Sequence, residues 1–198
     1  MQKNASWSFS LQKIRVQAGL LKGLAIELPE LLGTRPSKSI LVGCVFSSLG
    51  QELVGASFIE CFAGSAQMAV EALSHGAMEA FAIEKNKEAF KSTSLNIKRA
   101  NERLDKAAGK ALLGDCFALL PSLIKEQNMK DLILYIDPPF ASREGFADIY
   151  LQSLRLLEGA KIAIIEHESK AKMPEAAGFE LYKCKKFGKS TLSFYRAC

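Results

Sequence analysis

The run Leu132-Ile133-Leu134-Tyr135-Ile136 ends in Asp137-Pro138-Pro139-Phe140, and this junction constrains the chain more than any other stretch. A short unbroken apolar run, preceded by Lys130-Asp131, reads as a strand covered on both faces, as in a parallel sheet. The two prolines stop it, because neither has an N–H for the ladder and both fix φ. The backbone therefore leaves the sheet as a stiff, extended turn. What remains is a carboxylate, carbonyls without competing N–H groups, and an aromatic ring at the carboxyl end of a strand. In open α/β sheets that is where ligands bind.

The rest of the chain repeats the same grammar. Residues 56–62 read as a first strand, followed by the small-residue turn Ala63-Gly64-Ser65-Ala66 and an apolar helix over 66–74 that Gly76 ends. Residues 80–84 form a second strand, and a polar helix runs from Asn86 to about Asn101. Ala111-Leu112-Leu113 is a third strand before Gly114-Asp115. A helix through Ala118, Leu119 and Ile124 follows, with Pro121 in its first turn. After the fourth strand, 132–136, come a helix over 145–157 and a fifth strand over 161–166. A strand through Phe179, Leu181 and Tyr182 and another over 191–196 close the chain as a hairpin around Phe187-Gly188-Lys189. Such alternation predicts an α/β fold, a doubly wound, mostly parallel sheet with one antiparallel strand at or near an edge.

The first fifty residues stand outside this repeat. Strands over 13–17 and 24–28, with Gly19 and Gly23 between them, predict a small hairpin. A helix capped by Ser37 would present Ile40, Leu41, Cys44, Val45, Ser48 and Leu49 on one face, with Gly50 at its end. The expected organisation is an extension over 1–50 and a catalytic domain over 51–198.

Composition narrows the function classes. The chain has 198 residues, 48% of them hydrophobic, enough for one full core. A net charge of +5 is compatible with a polyanionic partner. Five scattered cysteines without a C-x-x-C pair, and only two histidines, argue for free thiols, a cytoplasmic setting and no metal centre. Neither a membrane-spanning run nor a signal peptide is read.

The Asp137 quartet suits a planar nucleobase bearing an exocyclic amine. Asp137 and the Pro138 carbonyl are acceptors for the amine, and Phe140 offers a face for stacking. Three further positions describe an adenosine-containing cofactor lying across the sheet edge. The turn at Ala63, Gly64 and Ser65 allows close backbone approach at a helix start. Glu84 ends strand two, where an acid takes ribose hydroxyls. Asp115, followed by Cys116, ends strand three, where a side chain accepts from an adenine amine. Taken singly, each is an ordinary turn, a first-turn acid or an N-cap; in register they point to one site.

These residues resemble the bacterial 16S ribosomal RNA guanine-N2 methyltransferases, within the class I S-adenosylmethionine-dependent enzymes. The similarity runs from about Ile14 to Arg196. It is carried by Phe62-Ala63-Gly64-Ser65, Glu71-Ala72-Leu73-Ser74, Gly76-Ala77, Asp137-Pro138-Pro139-Phe140 and Phe187-Gly188-Lys189-Ser190-Thr191-Leu192-Ser193-Phe194-Tyr195. The loop Thr34-Arg35-Pro36-Ser37 adds to it. The resemblance implies a Rossmann-like methyltransferase sheet and S-adenosyl-L-methionine as cofactor. Glu60, Phe62, Ala63, Gly64, Ser65, Glu84, Lys85, Asp115, Cys116 and Asp137 would line the cofactor. Asp137, Pro138, Pro139 and Phe140 would carry catalysis, by positioning and by stabilising the positive charge that grows on the attacking nitrogen.

The implied partner is 16S ribosomal RNA or the small ribosomal subunit, with Lys13, Arg15, Lys22, Arg35 and Lys38 on phosphates and the protein a monomer. Two departures stand out: Glu60 where the family has Asp, and Ala66 where it has Gly, a position strained if its φ is positive. Two alternatives stay open. One is a DNA adenine-N6 or cytosine-N4 methyltransferase; the other is a non-catalytic RNA-binding protein that kept the fold. A carbon-5 pyrimidine enzyme is disfavoured, since no cysteine lies on the loop after strand four.

Overall fold

The computed structural model describes residues 13–29, 39–127, 129–139 and 148–198. The apolar runs become a seven-stranded sheet. Its strands are β3 (Ser57–Cys61), β4 (Glu79–Glu84), β5 (Gly109–Leu113), β6 (Ile133–Ile136), β7 (Ile162–Glu168), β8 (Phe179–Phe187) and β9 (Ser190–Ala197). Their order is β5-β4-β3-β6-β7-β9-β8. Strands β3 to β7 pair in parallel, and β9 runs antiparallel to both β7 and β8. The one reversed strand therefore lies just inside the edge, as a tight hairpin requires: Phe187 pairs with Ser190 across two residues, and Gly188 takes φ 67°.

Both faces are covered. On one, Phe58, Tyr135, Ile164 and Phe194 pack with residues of α1 (Ser39–Leu49), α2 (Gln67–Ser74) and α3 (Lys87–Leu104). On the other, Ile59, Phe81, Leu134 and Ile165 meet α4 (Cys116–Gln127) and the 3-10 turn Arg155–Leu157 that follows α5 (Ile149–Leu154). Each such side chain contributes about 1.5–3 kcal/mol by leaving water.

Strands β1 (Lys13–Arg15) and β2 (Ala25–Glu27) form the expected hairpin. Val16, Leu21 and Ile26 enter the same cluster as α1 and α2. The turn is fastened to α2: Gln17 N–H donates to Glu71 Oε1 at 2.9 Å, and Leu21 N–H to Ser74 Oγ at 2.9 Å. Gly19, at φ 80°, is needed here, because a Cβ would fall 1.9 Å from the Ser74 carbonyl oxygen.

Two sequence expectations are corrected. α1 buries Leu41, Val42, Val45, Phe46 and Leu49, whereas Ile40 is 65% exposed; the face is rotated toward Phe46, which stacks on His75. α4 begins at Cys116, so Pro121 lies beyond the first turn, where its missing N–H leaves one helical bond unmade. The closing hairpin is as expected, with β8 running through Phe179, Leu181 and Tyr182 to Phe187 before the turn at Gly188. Ser37, read as the cap of α1, lies outside the described residues.

Candidate active site

The strand order reverses between β3 and β6. From β3 the chain works outward through β4 and β5, then returns to add β6 and β7 on the other side. At such a switch point two adjacent loops diverge and leave a crevice at the carboxyl ends of the strands. Here Cys61 pairs with Ile136 on one side and with Ile83 on the other. The turn at 62–66 and the segment 137–139 therefore leave neighbouring strands at the same level.

The β3–α2 turn is held in an uncommon shape. Phe62 (φ 60°), Gly64 (φ 54°) and Ala66 (φ 59°) are all left-handed. Ala66 therefore bears the strain expected of a residue with a Cβ there. The turn persists because its backbone is tied down. Ala63 N–H donates to the Ile83 carbonyl at 2.9 Å, and Ala66 N–H to the Ala63 carbonyl at 2.8 Å. Thr93 Oγ1 donates to the Gly64 carbonyl at 2.7 Å, and Asn96 Nδ2 to the Ser65 carbonyl at 2.8 Å. A Cβ built on Gly64 would meet no atom within 4 Å, so the space beside that backbone is open. Ala63 and Ser65 are buried, and the Phe62 ring packs edge-on against Phe117 at 5.7 Å.

Of the three acids expected around this turn, Glu60 and Glu84 hold the turn and the start of α2, and Asp115 holds the start of α4. Glu60, 5% exposed, accepts from the N–H groups of Met68 and Ala69 at 3.3 and 2.8 Å, so a strand residue caps α2. Burial outweighs those two donors and pushes its carboxyl up to about 8. Glu84 accepts from Gly64 N–H and from Asn86 N–H, both at 2.7 Å. Asp115 caps α4 through Phe117 N–H at 3.0 Å. Its second oxygen takes the Lys85 ammonium at 2.8 Å, which holds the carboxyl below its ordinary range. Cys116 is buried, and its sulfur lies against Cys61, whose thiol it pushes up together with burial.

On the other side of the crevice Pro138 is buried, and Asp137 and Pro139 are half-buried. Phe140, Arg35 and Lys38 lie outside the described residues. Of the expected phosphate contacts, Arg15 and Lys22 are exposed. Arg15 spends one donor on the Gly23 carbonyl at 2.8 Å. Lys13 opens β1.

Two residues that the sequence reading missed hold the site from α3. Asn96 is buried, binds the Ser65 carbonyl, and also exchanges two hydrogen bonds with the backbone of Glu27 at 2.9 and 2.8 Å. It thereby joins the N-terminal hairpin to the β3–α2 turn. Thr93 is its neighbour one turn earlier. Neither carried a signal beyond being a polar residue in a polar helix.

With this geometry in view, the comparison with known proteins is decisive at the level of the family. The family described as conserved hypothetical protein 95 matches residues 14–196. The chain belongs to this family. It is 27% identical over 188 residues to the ribosomal RNA small subunit methyltransferase D of Buchnera aphidicola, covering 92% of each chain. Among solved structures, the Escherichia coli protein yhhF superposes with a TM-score of 0.73 at 24% identity, covering 94% of this chain and 98% of that one. SMU.776, solved in complex with SAH, superposes with a TM-score of 0.58 at 16% identity, covering 76% of this chain and 48% of that one. The resemblance read from the Phe62, Asp137 and Phe187 motifs is borne out as family membership, and the α/β sheet with one reversed strand as the fold. Among the described residues there is no His/Cys/Asp/Glu group fit to hold a metal, and no helix long and apolar enough to cross a membrane.

Proposed function

We propose that this protein transfers a methyl group from S-adenosyl-L-methionine to the exocyclic N2 of a guanine in 16S ribosomal RNA. The observation that carries the reading is the Cys61–Ile136 pairing, which brings the β3–α2 turn and Asp137-Pro138-Pro139 to adjacent strand ends. The name of the Buchnera relative supports the substrate class. The SAH in the SMU.776 structure supports the cofactor.

The residues present fit an adenosyl group. Gly64 leaves open space beside a turn at a helix start, and acceptor carboxylates follow at Glu84, the last residue of β4, and Asp115, just beyond β5. Glu84 would take the ribose hydroxyls and Asp115 the adenine amine. Phe62, Ala63, Gly64 and Ser65 would line the methionine end, with Glu60 holding their turn from beneath. The cofactor supplies an electrophilic methyl group on a sulfonium.

The protein's part is positional and electrostatic. Asp137 and the Pro138 carbonyl accept from the target amine and direct its lone pair at the methyl carbon. The same acceptors would stabilise the positive charge that a target nitrogen gains on taking up the methyl group from the sulfonium. The surplus proton on that nitrogen would then pass to water. Phe140 would stack on the base, which must leave its helix or already be unpaired. Arg15, Lys22, Lys13, Arg35 and Lys38 would meet phosphates, and the protein would act as a cytoplasmic monomer on the small subunit or its RNA.

Mass spectrometry of ribosomal RNA nucleosides from cells with and without the gene tests the reaction directly. Loss of one N2-methylguanine is the expected result; identical nucleoside profiles reject the reading. Asp137→Ala is expected to lower turnover by about 10²–10³-fold, on the scale of a lost transition-state contact.

A further inference from the structure

β7 holds a second carboxylate, Glu166, level with Asp137. β6 and β7 pair in parallel, Tyr135 with Ile164 and Ile136 with Ile165. Asp137 and Glu166 are the next residues outward on the two strands. Side chains alternate along a strand, so Tyr135, Asp137, Ile164 and Glu166 share one face. Neighbouring strands lie about 4.8 Å apart, which sets the two carboxylates side by side.

Glu166 is not a loose surface acid. It is 7% exposed and accepts a hydrogen bond from Tyr135 Oη at 2.9 Å. Tyr135 is itself 1% exposed. Burial, and then the carboxylates of Glu166 and Asp137, push its phenol well above the ordinary range, so it remains a donor. A buried carboxylate is costly unless its lone pairs are used. Among the described residues one hydroxyl donates to it, filling one of about four acceptor positions, so Glu166 is anchored with acceptor capacity left toward the crevice.

Resting on the reading of this chain as a guanine-N2 methyltransferase, we infer that Glu166 determines specificity by accepting the N1–H of the target guanine while Asp137 and the Pro138 carbonyl hold the adjacent N2 amine. Guanine alone among the amino-bearing bases carries a ring N–H next to its amine. The corresponding atoms, N1 of adenine and N3 of cytosine, are acceptors. Facing a fixed carboxylate, they would set lone pair against lone pair. The Asp137-Pro138-Pro139 lip reads only the amine, which all three bases possess; Glu166 reads the neighbouring atom. Tyr135 is then a positioning residue, since it acts through Glu166.

The test uses the full-length protein, after mass spectrometry of ribonuclease fragments of the RNA has located the methylated guanine. Synthetic RNA, or small-subunit particles reconstituted with it, carries guanine or 2-aminopurine at that position; 2-aminopurine keeps the amine and lacks the N1–H. Wild type is expected to favour guanine in kcat/KM, and Glu166→Gln to lower that preference at least about 10-fold, because an amide can turn a donor toward a bare ring nitrogen. The ratio is independent of the folded fraction, so a merely structural role would leave it unmoved. An unchanged ratio in Glu166→Gln, with the wild type active on guanine, overturns this inference and leaves the proposed function standing. No transfer by the wild type to any guanine overturns both.

Discussion

Glu84 Oε2 accepts a hydrogen bond from Gly64 N–H at 2.7 Å, across twenty residues of sequence. The last side chain of β4 thus fixes the turn that follows β3, while its other oxygen takes Asn86 N–H at the start of α3. One carboxylate holds both a left-handed turn and a helix start, and it is the residue proposed to take the ribose hydroxyls.

Removing it is expected to act on both. A hydrogen bond to a charged group is worth about 1.5–3 kcal/mol, which corresponds to roughly 10–100-fold in a binding constant. Glu84→Ala should weaken S-adenosylmethionine binding by that factor in titration calorimetry. Unaltered affinity would remove Glu84 from the cofactor site.

Ala66 is the second place to intervene. At φ 59° its Cβ costs about 1–2 kcal/mol, whereas glycine gives back about 0.5–1 kcal/mol in unfolded-chain entropy. Ala66 is also the N-cap of α2, where glycine is preferred over alanine. Ala66→Gly should therefore raise the melting temperature by about 1–3 °C, on the scale of about 2–4 °C per kcal/mol for a chain of this size. A lower melting temperature would contradict the strain.

Glu60 predicts a pH dependence. Its carboxyl rises from an ordinary 4.5 to about 8 in the folded state, so the folded protein holds a proton that the unfolded chain has released. Stability from this group is complete below pH 4.5 and is lost as pH climbs through about 8. Glu60→Gln removes the titration. Calorimetric melting across this window should show a decline in the wild type that is flattened in the variant. Parallel pH profiles would refute the assignment.

Asn96 couples two regions that are far apart in sequence. Asn96→Ala would leave the Glu27 N–H, the Glu27 carbonyl and the Ser65 carbonyl without this partner. The Ser65 carbonyl is the buried one of these groups, and leaving it unsatisfied costs about 1–3 kcal/mol. Both proteolytic nicking of the hairpin and the S-adenosylmethionine dissociation constant should increase. A rise in only one of the two would show that the hairpin and the turn are not joined through this residue.

Much of this protein is written in local pattern. The unbroken apolar runs specify buried parallel strands, because such residues have no polar side to leave in water. The paired prolines after Ile136 end a strand regardless of what surrounds them, since the missing N–H groups are covalent facts. The short turn at Gly188 specifies a hairpin for the same kind of reason. Tertiary structure decided what depends on contacts distant in sequence. Which face of α1 is buried was set by Phe46 meeting His75 and Phe58, not by the spacing of Ile40 and Cys44. Glu60 became a helix cap, and Asn96 a tie between hairpin and turn, only once other elements presented their backbone groups. The neighbourhood of Asp137 and Glu166 follows from the pairing of β6 with β7, and pairing between strands separated by a helix is a property of the folded sheet.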